Sequence, residues 1–482
     1  MKRVAVIGAG ITGLSAAFRL RELAAAREFP LEVALLERGE HLGGSLETIR
    51  RDGFVIETGA DSFLTEKPAA ADLARRIGID SELIPTRDIY RKTCIVHDGR
   101  LVEMPAGFSL LAPSRLGPVF QSPLFSPLGK FRIALEPFIP ARTDTADESL
   151  KSFVTRRLGR EVLDRVAQAL AGGIYTADPE RLSIGATMPR FVEMERRYGS
   201  VIKGLRAAEQ ARASKNSEKS GDINGARWSL FQSFRSGMAT LPEALSARLG
   251  ATIRKSVDVA MMSRAGGRWQ LTLKDSRENA GINAFDTDAV ICTAPAFAAS
   301  RILSSVAPKA SQLMSAISYA SAATVNLTFR ETDFQRPIEA FGFVAPAIEH
   351  RKIIAGSFSS FKFEGRAPAG SILVRAFVGG VLQSAMMELA DDEIVAAVRD
   401  EFRTLLGVSA APGHAIVRRW PNSMPQYEVG HLARVAEIER EVAAIPCFEI
   451  AGAAWRGDGI PDCIRSGEQA ADAIFAELYA TD

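Results

Sequence analysis

The chain begins with VAVIGAGITGLSAAFRL, an apolar run that turns through three glycines into a helical pattern. Val4 to Ile7 has the character of a buried strand, and after Gly13 the residues Leu14, Ala17, Phe18 and Leu20 fall on one side of a helix. GAGITG therefore sits on a strand-to-helix turn, the setting that gives such a motif meaning. Gly8 permits the tight turn, Gly10 lets the backbone approach a pyrophosphate, and Gly13 lets the helix pack closely on the strand. Ala9, Ile11 and Thr12 complete the loop, and the helix N-terminus faces the phosphates. A second strand over 31–36 delivers Glu37, with Arg38 beside it, twenty-four residues after Gly13. A carboxylate there accepts hydrogen bonds from an adenosine ribose and disfavours a 2′-phosphate. Gly43 and Gly44, followed by Ser45, offer a second close backbone approach, which simple NAD binding does not need but a longer dinucleotide does. Strand, turn, helix, acid and second glycine pair, in that order, point to FAD, expected to be held without a covalent bond.

A length of 482 residues exceeds what one core usually supports, so two or three subdomains are expected, with large insertions in the FAD unit. A net charge of +2 gives no reason to invoke nucleic acid. Cys94, Cys292, Cys447 and Cys463 are far apart and form no CxxC, so neither a metal site nor a disulfide framework is expected, and a reducing cytoplasm is the simplest setting. The first strand starts at once and no apolar stretch reaches spanning length, so neither a signal peptide nor a transmembrane helix is expected.

Between Pro105 and Pro140 seven prolines alternate with Phe108, Leu110, Leu111, Phe120, Phe125, Phe131 and Phe138, with Arg115, Lys130 and Arg132 among them. This is either a proline-punctuated region packed on its own domain or an apolar, basic-edged surface for lipid or a hydrophobic substrate. Residues 146–171 are helical in pattern, and 206–225 is polar enough for a mobile loop or a helix end with a disordered tail. Runs at 251–259, 269–273 and 288–293 look like strands re-entering the nucleotide unit. Further strands around 323–329, 352–357 and 371–377 suggest an antiparallel substrate sheet, with an amphipathic helix over 391–406 beside it.

Near the C-terminus a short strand over 447–452 leads into AAWRGDGIPDCIRSGEQAADAIFAEL, a glycine-rich loop and a helix with Asp462 as its expected N-cap. In a flavoprotein such a helix terminus stabilises negative charge on the reduced ring system. An ordinary terminal element is the alternative.

With both ends read, the chain resembles the protoporphyrinogen oxidase family of the amine-oxidase-like FAD superfamily, in the soluble bacterial form that includes coproporphyrinogen III oxidases. The start and GIPDCIRSG carry the likeness, together with ALAGGIYTADPERLSIGATMPRF at 169–191, FQSFRSGMATLPEAL at 231–245 and RWPNSMPQYEVGH at 419–431. The resemblance implies an α/β fold, amine-oxidase/p-hydroxybenzoate-hydroxylase-like: a discontinuous Rossmann-like FAD domain (1–66, 230–300, 430–482), an antiparallel-sheet substrate domain (67–104, 301–429) and a mostly helical insertion (105–229). It implies an oxygen-dependent oxidase that turns protoporphyrinogen IX into protoporphyrin IX by three two-electron steps, releasing hydrogen peroxide, or that forms coproporphyrin III from coproporphyrinogen III. An FAD-stabilised tetrapyrrole carrier without turnover is the alternative of another class. Peripheral membrane contact and hand-over to the next haem-pathway enzyme are further expectations; oligomeric state is not readable.

By the same resemblance, the backbone carbonyl of Gly173 faces the reacting macrocycle, or else this glycine is only a helix-breaking turn between Ala171 and Ile174. Lys67 is the candidate for a substrate propionate, against an exposed lysine solvating a loop. Ile174 and Tyr175 line the cavity or belong to the core. Val257 meets adenine through its backbone N–H and C=O, with Thr293 and Ala294 nearby. Gly59, Ala60, Gly452, Gly459, Ile460 and Pro461 complete the cofactor set with Asp462. Trp420 and Tyr427 shape the flavin end or pack as core aromatics, and His431 is structural. Ala60 stands where the family often has proline. Asp458 replaces a usually apolar residue, so it points to solvent, pairs with Arg456, or weakens flavin reduction.

Overall fold

A computed structural model describes residues 1–218, 231–275, 283–335, 337–338 and 340–480. Five parallel strands form the first sheet: β1 (Lys2–Ile7), β2 (Leu31–Leu36), β3 (Ile253–Arg254), β4 (Ala289–Cys292) and β5 (Phe448–Ile450), in the order β3-β2-β1-β4-β5. A sheet of this kind is covered on both faces, which is why its strands read as continuous apolar runs. On one face Val4, Val6 and Leu35 meet helix α1 (Ile11–Ala26) and the C-terminal helix; on the other, Ala5, Ile7 and Leu36 meet Met262, Trp269 and Leu271.

Those last three residues belong to a separate antiparallel sheet of Val257–Ala265, Arg268–Asp275 and Asn283–Thr287. The runs expected at 251–259 and 269–273 thus give the parallel sheet only Ile253–Arg254. Ser256, in the left-handed region at φ 58°, turns the chain out of β3 and into a second layer.

The large sheet has seven strands: Ala415–Pro425, Tyr319–Arg330, Ser371–Gly379, Ala355–Phe358, Gly342–Val344, Thr93–His97 and Arg100–Glu103. Its pairings are antiparallel apart from Gly342–Val344 on Thr93–His97. Helix Asp391–Leu406 covers it through Ile394, Val398 and Phe402, the stripe its sequence periodicity predicts.

Between the two sheets in sequence lies a helical insertion that includes α2 (Gln168–Tyr175), α3 (Pro189–Tyr198) and helix Val201–Glu218. The polar stretch 206–225 was expected as loop or frayed helix end; it is helical through Glu218, and its remainder lies outside the described residues. The start of that helix is capped: Glu136 accepts from the N–H of Val201 at 2.9 Å and of Ile202 at 3.3 Å, and Ser200 Oγ accepts from Lys203 N–H at 3.1 Å. Arg157, fully buried, grips the same Glu136 carboxylate and donates to the carbonyls of Ile139 at 2.8 Å and Gly199 at 3.0 Å. The last helix, α4 (Ile460–Ala480), packs on α1 so closely that a Cβ at Gly467 would lie 2.3 Å from the Thr12 carbonyl oxygen.

Removing one partner of a fully buried ion pair strands the other charge. Arg157→Met is therefore expected to lower unfolding stability by about 3–5 kcal/mol in a denaturant titration; a change below about 1 kcal/mol, the range of exposed pairs, would contradict this role.

Candidate functional site: a dinucleotide cradle and a charged cleft

The turn after β1 exists because two backbones touch. Gly8 has φ 98° and donates to Leu36 O at 2.8 Å, while a Cβ at Gly13 would lie 1.8 Å from the Gly8 carbonyl oxygen. Only glycine allows that approach. Gly10 is the N-cap of α1 and carries no capping side chain, so the first-turn N–H groups of Ile11 and Thr12 lack a side-chain acceptor at the cap. A Cβ at Gly10 would meet nothing within 4 Å, so the space in front of this terminus is open. Glu37 accepts from the N–H of Ala9 and of Gly39, each at 2.7 Å, and its carboxylate retains further lone pairs for a hydroxyl. Arg38 and Ser45 are exposed at the rim.

The second glycine pair closes on the first. Gly43 donates to Ala9 O at 2.8 Å, and a Cβ at Gly44 would stand 3.3 Å from Gly10 Cα. From β4, Thr293 Oγ1 donates to the carbonyls of Ile7 at 2.8 Å and Gly8 at 3.0 Å, and Gly452 lies beside Thr293 and Thr12. Val257 is placed next to Glu37, but its N–H donates to the Glu37 carbonyl at 2.8 Å. The expected N–H contact to adenine is therefore not available from that donor, which the chain uses to fasten β2 to the next layer.

At the other end, Asp462 is not the N-cap of α4. The helix starts at Ile460, Cys463 N–H donates to Gly459 O at 2.9 Å, and Pro461 enters where its missing N–H costs nothing. Asp462 is buried inside the first turn, bonded to Lys67 and, at 2.8 Å, to Arg465. Arg456 pairs with Glu439, at 2.7 Å through Nε, so the proposed Asp458–Arg456 pair is absent. Asp458 is instead half-buried, facing Asp462 and Lys67. Burial, reinforced by Asp462 and opposed by its own backbone N–H and by Lys67, pushes its carboxyl up to about 6.

Across this loop stand two tyrosines with rings 6.5 Å apart. Tyr175 donates to Thr187 O at 3.1 Å; Tyr427 donates to Ala453 O and stacks on buried His431, whose Nε2 contacts Trp455 O at 3.0 Å. Burial first, then Asp458, pushes both phenols up. Gly173 does not break a helix: α2 runs through it to Tyr175 and ends where Thr176 turns left-handed at φ 51°. Gly173 is exposed in the last turn, where carbonyls lack helical partners, and Ile174 is 44% exposed rather than core.

A buried charge cluster under the cradle has no sequence motif. Asp61 receives Lys362 at 2.9 Å and Arg375 at 3.1 Å; against the effect of burial, these two cations hold its carboxyl far below the usual range. Arg375 also donates to Gly59 O at 2.7 Å, and Arg366 faces Glu57 at 3.6 Å. Gly59 is pressed between Ser45, whose oxygen a Cβ would approach to 1.8 Å, and Trp420, whose Nε1 donates to Thr58 O at 2.9 Å. Ala60 N–H donates to Ser45 O at 3.2 Å, so the residue in place of proline supplies a hydrogen bond proline would lack. Glycine cradle, α4 terminus and this platform fit a flavin dinucleotide.

An open cavity of about 580 Å³ joins Gly452, Asp462 and Ser466 behind the α4 loop. Another of about 450 Å³ lies beyond Gln426 and Tyr427, away from the glycine turn. His97, Asp98 and Glu349 also converge, but the Glu349 oxygens accept from Asp98 N–H at 2.8 Å and Gly99 N–H at 3.2 Å, and Arg165 lies on the imidazole. That arrangement locks a turn.

The Asp458 carboxyl stays neutral in the folded chain between its unfolded range near 4 and about 6. Its contribution to stability is therefore lost as pH rises through that window and stays lost above it. Asp458→Asn is expected to raise the thermal midpoint at about pH 8 and leave it unchanged below about pH 4, where both states are protonated. An equal change at both pH values would overturn the assignment.

Residues 11–475 match the model for the flavin containing amine oxidoreductases. Over 99% of both chains, the sequence is 33% identical to coproporphyrinogen III oxidase of Bacillus subtilis (strain 168). It is 30% identical to protoporphyrinogen oxidase of Bos taurus, over 98% of both chains. A crystal structure from Exiguobacterium sp. 255-15, described provisionally as a protoporphyrinogen oxidase, superposes with a TM-score of 0.84 at 29% identity, covering 99% of each chain. With a parallel-sheet cradle, a second antiparallel sheet and a match over nearly its whole length, the chain belongs to the flavin containing amine oxidoreductase family.

Proposed function

We propose that this protein is an FAD-dependent porphyrinogen oxidase that uses oxygen as acceptor and forms porphyrin for haem synthesis. The observation that carries the reading is that α2, with Gly173 and Ile174 exposed, docks through Tyr175 beside the Gly457–Asp462 loop that would cap the flavin. Full-length relatives bear both porphyrinogen oxidase names, so both substrates belong to the reading.

FAD would be held without a covalent bond. Ile11 and Thr12 N–H groups at the α1 terminus take the pyrophosphate, Gly10 and Gly44 leave the room, and Glu37 takes the ribose. Ile460 and Pro461 at the α4 terminus face the ring system, with Trp420 and Gly59 beneath. Residues 1–66, 230–300 and 430–482 serve as the FAD domain, 67–104 and 301–429 as the substrate domain, and 105–229 as the insertion. Bound flavin supplies hydride acceptance and reoxidation by oxygen.

The chain's own residues position the macrocycle. The Gly173 carbonyl accepts a pyrrole N–H, Ile174 packs on the ring, and Lys67 takes a propionate, its ammonium shared with Asp462. The half-buried loop keeps water from the reacting carbon.

The insertion gathers exposed apolar side chains: Phe120, Leu128, Phe131, Leu135 and Phe138, with Leu128 and Phe138 each more than 80% exposed. Among the described residues no helix is long and apolar enough to cross a membrane. We read this surface as a peripheral membrane contact of a cytoplasmic enzyme, from which product passes to the next pathway enzyme.

Anaerobic mixing with a porphyrinogen should bleach the flavin absorbance within the time of one turnover; tight binding without bleaching would make the chain a tetrapyrrole carrier. Flotation with anionic vesicles should recover the protein, and F131S/F138S should abolish recovery. Quantitative retention in the soluble fraction by the unaltered protein would remove the membrane reading.

A further inference from the structure

A third cavity, of about 280 Å³, lies between α2, the turn Ala347–Glu349 and the short helix Val381–Met387. Gln168, Gly172 and the left-handed cap Thr176, four residues apart on one helix face, form its α2 wall. Ala345, Ile354 and Leu382 make it apolar in part. Two amide side chains in it are oriented by the backbone. Gln168 Oε1 accepts from Ala347 N–H at 2.8 Å, which leaves the Nε2 donors beside Gly172, where a Cβ would lie 3.3 Å away. Gln383 Nε2 donates to Arg351 O at 2.9 Å, and its Oε1 is buried without a hydrogen-bond partner among the described residues. Arg351 is placed by the turn before it: Glu349 accepts from Asp98 N–H at 2.8 Å and Gly99 N–H at 3.2 Å, and His350 is left-handed at φ 53°. The guanidinium is then held on two sides. Nη1 faces Glu401 Oε2 at 3.5 Å, and Nη2 lies against Gly99, where a Cβ would stand 3.1 Å away. Nε is buried with no hydrogen-bond partner among the described residues. A buried guanidinium N–H without an acceptor is costly, so it marks a place for one.

We propose that this cavity is a carboxylate-binding site that takes an acid on a short aliphatic arm, with Arg351 Nε and Gln168 Nε2 as donors and Ile354 and Leu382 packing the arm. An anionic acceptor suits Arg351 better than a neutral one, because a guanidinium N–H bonds a carboxylate more strongly. Its existing partner leaves it that capacity: at 3.5 Å the contact to Glu401 is an ion pair without a hydrogen bond, and Glu401 Oε1 already accepts from Lys352 N–H at 2.8 Å. Glu401 also opposes an incoming anion, so affinity is modest and removing its charge raises it. Gln383 Oε1 takes a donor from the ligand or from its hydration water. The volume lies below that of sites for drug-sized ligands, so the cavity admits an arm and not a whole macrocycle. A free short-chain acid and a propionate arm of a tetrapyrrole share this chemistry, and only the second source rests on the porphyrinogen reading above.

The test compares the flavin-loaded full chain with R351M, E401Q and R351M/E401Q, the double variant removing the charge that R351M alone strands. Sodium propionate is titrated by calorimetry with propionamide as the neutral control, and coproporphyrin III binding is followed by quenching of protein fluorescence. Propionate is expected to bind in roughly the millimolar range, and E401Q to tighten it by about threefold or more. R351M/E401Q is expected to weaken it at least about tenfold relative to E401Q, while propionamide follows neither change. Coproporphyrin III affinity moving in the same order, with propionate competing, assigns the site to the tetrapyrrole arm. Coproporphyrin III affinity indifferent to all three variants, with propionate following the expected order, assigns it to a free acid, and the site then stands whether or not the protein oxidises porphyrinogens. The proposal is overturned if neither ligand's affinity depends on Arg351, or if E401Q weakens both.

Discussion

The two sheets are joined by charge that neither could bury alone. Glu57 and Asp61 sit on the segment that leaves the second glycine pair, and Arg366, Arg375 and Lys362 come from the seven-stranded sheet and the segment beside it. Desolvation of five such groups is tolerable only while each keeps its partners, so this cluster fixes the relative position of cradle and antiparallel sheet more narrowly than apolar contact would. Arg375 passes the constraint to Gly59, Gly59 to Ser45 and Trp420, and these floor the space between the α1 and α4 termini. The cofactor site depends on this junction as much as on its glycines.

Around the α4 loop two acids, two cations and two tyrosines gather in partial shelter from water. Asp462 is paired with Lys67 and Arg465, whereas Asp458 has no ion pair among the described residues and its carboxyl is pushed up to about 6 by burial. Below about pH 6 Asp458 is neutral; above it the carboxylate adds a second negative charge beside Asp462.

Legibility in the sequence followed the range of the interaction. The β1–α1 turn, Glu37, the glycine pairs and helix Asp391–Leu406 rest on contacts within tens of residues and on strict periodicity, and each lies where the pattern puts it. Asp462 was misplaced by three residues because the helix starts at Ile460 with Pro461 in its first turn, a local signal outweighed by the preference of aspartate for caps. The layer switch at Ser256 depends on one left-handed residue that is not glycine, which no pattern announces. Asp61–Lys362–Arg375 joins residues some three hundred positions apart, so it carries no motif at all.

The central claim is that this scaffold drives complete six-electron oxidation of a porphyrinogen with oxygen as acceptor. It is tested most directly by the ratio of hydrogen peroxide released to porphyrin formed in a single anaerobically started, oxygen-triggered reaction. Three peroxides per porphyrin are expected, formed at a rate proportional to protein concentration, and porphyrin appearing only at the rate of a protein-free control would contradict it.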